Sequence, residues 1–132
     1  MQYLISKTNR SSCQSIEEYS FTKEDELQEI LANNPQIVLN IPELEIDETV
    51  KTLSSREFPT SSGPIDILYL TSQGDIVVVE TKLIKNPEAT RTVVAQAIDY
   101  VKSLSGMKID EFIGRLNQKK VAVSKFEIGD NL

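Results

Sequence analysis

The chain has no histidine and a single cysteine, Cys13. Without histidine there is no Cys–His nucleophile pair, and the usual zinc sites lose their nitrogen ligand. One cysteine closes no internal disulfide, so a reduced, cytoplasmic compartment is the default expectation. No apolar run approaches the ~20 residues of a membrane span. Residues 1–10 carry no extended apolar stretch and no small-residue cleavage site, so no secretory signal is expected. Basic surplus is also missing. Fourteen Lys and Arg stand against twenty Asp and Glu, a net charge of −6. That balance counts against tight autonomous binding to a phosphate backbone. It does not count against a site for Mg²⁺, whose preferred ligands are carboxylate oxygens.

A length of 132 residues with 39% hydrophobic side chains suits one domain with a real core. No repeat, low-complexity tract or interdomain linker interrupts it. Residues 2–5 read as a short strand, and 6–20 as a polar loop or hairpin with Asn9 and Arg10 near its turn. Thr22 is a candidate N-cap, with Glu24 and Asp25 in the first turn where the helix dipole favours acids. Leu27, Ile30 and Leu31 give that helix an apolar face. Pro35 stops it near Asn33–Asn34, since the residue before proline is pushed out of helical geometry. Ile37 to Leu39 is a short apolar segment, and 42–49 is acidic and loop-like.

Residues 54–59 predict a strand ended by Pro59, and the cluster Ser61-Ser62-Gly63-Pro64 predicts a turn. Residues 65–70 read as a second strand. Ser72-Gln73-Gly74-Asp75 has hairpin chemistry. The third strand, 76–83, opens on Ile-Val-Val-Val, apolar on both faces, which predicts a central strand covered on both sides. Asn86 and Pro87 open a long helix over about 88–104. Val93, Ala97, Val101 and Leu104 share one of its faces, with Val94 and Ile98 beside them. Gly106 ends it. Residues 109–116 predict another helix with Asp110 and Glu111 in its first turn, and 121–128 a last strand. The order predicts an α/β sandwich around a mixed sheet, unlike a regularly alternating Rossmann pattern.

Three charged groups break this pattern. Alternation puts Ile76, Val78, Glu80 and Lys82 on one face of the third strand. Two ionisable groups thus follow two core residues, where burial without a partner is costly. Asp66 lies early in the preceding strand. Tight pairing through the 72–75 turn brings it to the same sheet end as Glu80 and Lys82. Two carboxylates and an amine at one point suit a divalent ion with a charged helper. Asp66 and Glu80 supply hard oxygen ligands, and the Thr81 backbone carbonyl adds a third. Mg²⁺, with Mn²⁺ as a substitute, retains waters and shares them with a substrate phosphate. Lys82 orients such a water or stabilises the phosphoryl transition state. The plainer reading has Glu80 and Lys82 as ordinary charges at a strand end and Asp66 capping a turn.

The string Gly63-Pro64-Ile65-Asp66, thirteen residues, then Glu80-Thr81-Lys82 resembles the motif of the PD-(D/E)xK nuclease superfamily. Val77-Val78-Val79 is similar to that family's apolar strand. Glu24-Asp25-Glu26-Leu27-Gln28, followed by Asn34-Pro35, resembles the first helix of its NucS-like and restriction-endonuclease-like branches. Gln96-Ala97-Ile98-Asp99-Tyr100, with Arg91, resembles the helix after the lysine strand.

The resemblance covers about 22–104. It implies one domain, 1–132, as a restriction-endonuclease-like three-layer sandwich with a central mixed β-sheet flanked by helices. It implies a Mg²⁺-dependent endonuclease acting on nucleic acid, DNA before RNA. Asp66, Glu80 and a helix glutamate would then serve the ion, with Lys82 assisting the nucleophile and Gln96 pointing into the site. Glu24 matches the helix glutamate by position and lies nearer the apolar face than Glu26, which is the alternative. Its plainer role is dipole compensation. Arg91 and Tyr100 would contact a phosphate backbone or a base; otherwise they are a surface arginine and a core-edge tyrosine. The family core usually continues with a further strand and helix. The short remainder here implies a small variant or a piece of a longer protein. With the negative charge, it also implies a homodimer or an added domain supplying basic surface. A non-catalytic nucleic-acid-binding or protein-interaction module is the competing reading. A domain for small-molecule or protein partners alone is a third, because fold does not fix function.

Overall fold

The computed structural model describes residues 2–5, 13–17, 20–83 and 87–119. Their elements run β1 (Gln2–Ile5), β2 (Cys13–Ile16), α1 (Glu24–Asn33), α2 (Gln36–Leu39), a short 3-10 turn (Pro42–Leu44), β3 (Thr52–Thr60), β4 (Gly63–Thr71), β5 (Ile76–Val79), α3 (Pro87–Ser105) and α4 (Ile109–Gln118). β1 and β2 form an antiparallel pair of their own. β3, β4 and β5 form a sheet in that order, with both pairings antiparallel. The expected mixed sheet is therefore not present among the described residues; they make an α/β arrangement on an antiparallel sheet. The Asn9–Arg10 turn, Asn86 and the 121–128 strand lie outside the described residues.

The two hairpin turns fix the register of the main sheet. Thr60 pairs with Gly63, leaving Ser61 and Ser62 as a two-residue loop. Thr60 Oγ1 donates to the Gly63 carbonyl at 2.6 Å and accepts from the Ser62 amide at 3.1 Å. At the second turn Gly74 takes φ +91°, a region open to glycine, and its amide donates to the Thr71 carbonyl at 3.0 Å.

Among the described residues β4, not β5, is the central strand. Its Ile67-Leu68-Tyr69-Leu70 run is buried on both faces. β5 is the last strand of this sheet among the described residues and ends at Val79, so Glu80 to Leu83 leave its ladder with β4. Both strands carry long apolar runs, and periodicity alone does not separate the central one from its neighbour. On one face, Leu68 and Leu70 pack with Tyr100, Phe112 and Leu116 of α3 and α4. On the other, Ile67 and Tyr69 pack with Leu39, Leu31 and Val38 of α1 and α2. Helices thus cover both faces of the sheet. The Tyr69 hydroxyl donates to the Leu31 carbonyl at 2.5 Å, and Arg56 Nη2 donates to Asp25 at 2.8 Å and Gln28 at 3.0 Å. These bonds tie α1 to β4 and β3.

Three local expectations are corrected. Lys23, one residue after Thr22, occupies the N-cap of α1, and its side chain makes no capping bond. Pro59 does not end β3, because among the described residues β3 is an edge strand, which tolerates a missing donor. There Pro59 pairs with Pro64, and its carbonyl accepts from Arg115 Nη1 at 2.6 Å. Val101, expected in the core, is exposed along with Val94 and Ile98, while Tyr100 and Leu104 of α3 enter the core. Among the described residues no strand continues the sheet beyond β5 beneath that side of α3.

Candidate metal centre

Asp66 interrupts an otherwise buried run from Ile65 to Thr71. Ile67 pairs with Val79 and Leu68 with Val78. Asp66 and Glu80 are therefore the next residues facing each other, on the sheet face that carries Leu68, Leu70 and Val78 toward α3 and α4. The ladder stops at this point, and side-chain bonding replaces it. Asp66 Oδ2 accepts twice from Thr81, from the amide at 3.0 Å and from Oγ1 at 3.0 Å. Thr81 is buried, at 4% exposure.

Glu80 is poorly satisfied. Its Oε2 is buried without a hydrogen-bond partner. Desolvation and the adjacent Asp66 charge push its carboxyl up from the ordinary 4.5 to about 7. Bonding from the Asp66 amide and the Lys82 ammonium act weakly the other way, while bonding to the Asp66 carboxyl adds to the rise. Gln96 Oε1 is a second buried oxygen without a partner. A pair of crowded carboxylates with an orphaned oxygen suits a hard divalent cation, which needs only one or two such ligands beside water. Asp66 and Glu80 fit that requirement. No cluster of three or more Asp, Glu, His or Cys placed to hold an ion occurs among the described residues.

The other expected residues are placed unevenly. Lys82 is exposed; its charge reaches Glu80, but no close ion pair joins it to either carboxylate among the described residues. Glu24, at the start of α1, accepts from the Leu83 amide at 3.4 Å, so the helix end meets the chain just beyond Lys82. It does not join Asp66 and Glu80 in a three-carboxylate cluster. Arg91 is exposed on α3. Tyr100 is a core residue, so its ring is not free to meet a nucleic acid. Burial raises its hydroxyl pKa, and the charges of Glu80, Asp66 and Glu57 raise it further.

Glu57 was not anticipated. Arg56 pairs with Ile67 and Phe58 with Ile65, which sets Glu57 across from Asp66 without a regular pair. It adopts φ +53°, left-handed and unusual for glutamate inside a strand. The turn at Ser61-Ser62 contained the signal, since that two-residue loop counts back to Glu57 opposite Asp66. A groove of about 640 Å³ opens beside Glu80, between β5 and α3, lined by Ile76, Val78, Val94, Ile98 and Val101. Comparison of the chain with family models, curated proteins and solved structures finds no significant match.

Proposed function

We propose that the chain is a divalent-metal-dependent endonuclease of the PD-(D/E)xK type, cleaving phosphodiester bonds in nucleic acid, DNA in preference to RNA. The observation that carries this reading is the facing pair of Asp66 and Glu80, with Glu80 Oε2 buried and unpartnered. Burying two carboxylates together is costly unless a cation or a proton offsets their charge. A bound Mg²⁺ or Mn²⁺ would lower the pKa of a water ligand and neutralise charge on the phosphoryl oxygens.

Asp66 and Glu80 would hold the ion, and the Thr81 carbonyl is the proposed third ligand. Lys82, at the exposed end of the segment, would orient the attacking water and meet charge growing on the phosphate. Gln96, with its unpartnered oxygen, accepts a hydrogen bond from that water or from a substrate hydroxyl. Glu24 holds the segment after Lys82 through the Leu83 amide.

Melting temperature with and without the ion is the first test. Mg²⁺ or Mn²⁺ should raise it, because a ligand bound only by the folded state stabilises that state. Asp66→Asn should lose most of the rise. An equal rise in both proteins would move the ion elsewhere.

The net charge of −6 and the apolar groove beside Glu80 favour a second reading, a non-catalytic interaction module. Lys82→Ala separates the two. In the enzyme it should lower turnover by roughly 10²–10³ while metal and substrate binding change little. In the module it changes binding modestly and there is no cleavage to lose. Absence of cleavage by the wild type on single-stranded, duplex and flap substrates with Mn²⁺ would favour the module.

A further inference from the structure

The Thr81 side chain is committed to one oxygen of one carboxylate. Its amide and hydroxyl both donate to Asp66 Oδ2, each at 3.0 Å, and the residue is 4% exposed. A carboxylate oxygen offers about two lone-pair directions. Two donors occupy both on Oδ2, so any further partner falls to Oδ1. The hydroxyl bond also fixes the plane of the carboxyl, which one amide bond alone would leave free to swing. Asp66 needs such restraint because the β4–β5 ladder ends at Ile67 and Val79, one residue short of it.

From this bonding we infer that Thr81 is a positioning residue: its hydroxyl locks Asp66 so that Oδ1 faces Glu80 and a cation shared between them. The inference rests on the metal-site reading for its ligand and on geometry alone for the lock. Partners that hold a ligating carboxylate act on affinity through orientation, without touching the ion.

The test compares wild type, Thr81→Val and Thr81→Ser. Valine keeps the shape and the amide donor but removes the hydroxyl; serine restores the hydroxyl. In chelator, the side-chain carboxyl ¹³C resonance of Asp66 should shift in Thr81→Val and stay near wild type in Thr81→Ser. With Mg²⁺ titrated calorimetrically, Thr81→Val should bind about 10-fold or more weakly, and Thr81→Ser within about 2-fold of wild type, as for other residues that orient metal ligands. An unmoved Asp66 resonance in Thr81→Val would overturn the lock, as would measurable Mg²⁺ binding of equal affinity in all three proteins. If Thr81→Val does not fold, a shifted Asp66 resonance in Thr81→Ser would overturn it as well. A wild type that binds no Mg²⁺, with the Asp66 resonance still moved only by valine, would refute the metal reading and leave the lock standing.

Discussion

At the scale of single residues, Glu80 ties site chemistry to stability. Its carboxyl is raised from 4.5 to about 7, first by desolvation and then by Asp66. The folded protein therefore holds this proton more tightly than the unfolded chain does. That contribution is complete below about 4.5 and is lost as pH rises through about 7. In chelator, the melting temperature should fall across this window. Glu80→Gln should flatten the fall and melt above wild type at about pH 8. A wild-type curve that rises across the window would show the two carboxylates to be well compensated. Glu57 makes a separate prediction. Its φ of +53° is costly for a side chain with a Cβ. Glu57→Gly should stabilise the fold by about 0.5–1 kcal/mol, the left-handed strain relieved less glycine's entropy. Urea denaturation reads this directly, and a loss of stability would mean that the Glu57 side chain makes a contact worth more than the strain.

At the scale of elements, much was legible. α1, the 61–62 and 72–75 turns and α3 stand close to where proline, glycine and apolar spacing put them. These signals are local: a proline restricts its own neighbours whatever packs above. The order of strands was not legible. Ile67-Leu68-Tyr69-Leu70 and Ile76-Val77-Val78-Val79 are both apolar runs, and which one lies central depends on which helices cover them. The side of α3 that carries Val101 followed from the same uncertainty. Asp66 and Glu80 could be paired from turn length alone, but the Thr81 bond could not, since it forms where the ladder has ended. Paired substitutions test the corrected packing. Phe112 packs against Phe58 with the rings tilted at 46° and 5.3 Å between their centres, and it is buried. Phe112→Ala should cost about 3–5 kcal/mol. Val101→Ala, on the exposed side of α3, should fall within about 0.5 kcal/mol of wild type. Comparable losses in the two variants would mean that the apolar groove beside β5 is covered in solution.

At the scale of the whole molecule, the charge balance limits what the site can do unaided. Fourteen basic residues against twenty acidic ones leave a net −6. Glu57 and Glu80 both add negative charge at the Asp66 end of the sheet, and the groove beside Glu80 is largely apolar. Lys82 and Arg91 are exposed, and Lys102 lines the groove. Two or three such cations would neutralise about two or three phosphates. The 132-residue chain should therefore bind duplex DNA weakly, with a Kd on the order of 10⁻⁴ M at physiological salt, the weak end of non-specific binding. Its log–log salt slope should be shallow, roughly −2 to −3, because each neutralised phosphate contributes about −0.9. Fluorescence anisotropy on a labelled duplex from low to moderate salt, with Ca²⁺ in place of Mg²⁺ to hold back cleavage, measures both quantities. Fusing a basic DNA-binding module to the chain should then raise apparent cleavage by raising occupancy, with turnover at saturation unchanged. Tight binding by the chain alone, insensitive to salt, would mean that recognition runs through base or apolar contacts, and the apolar groove between β5 and α3 would become the surface to mutate.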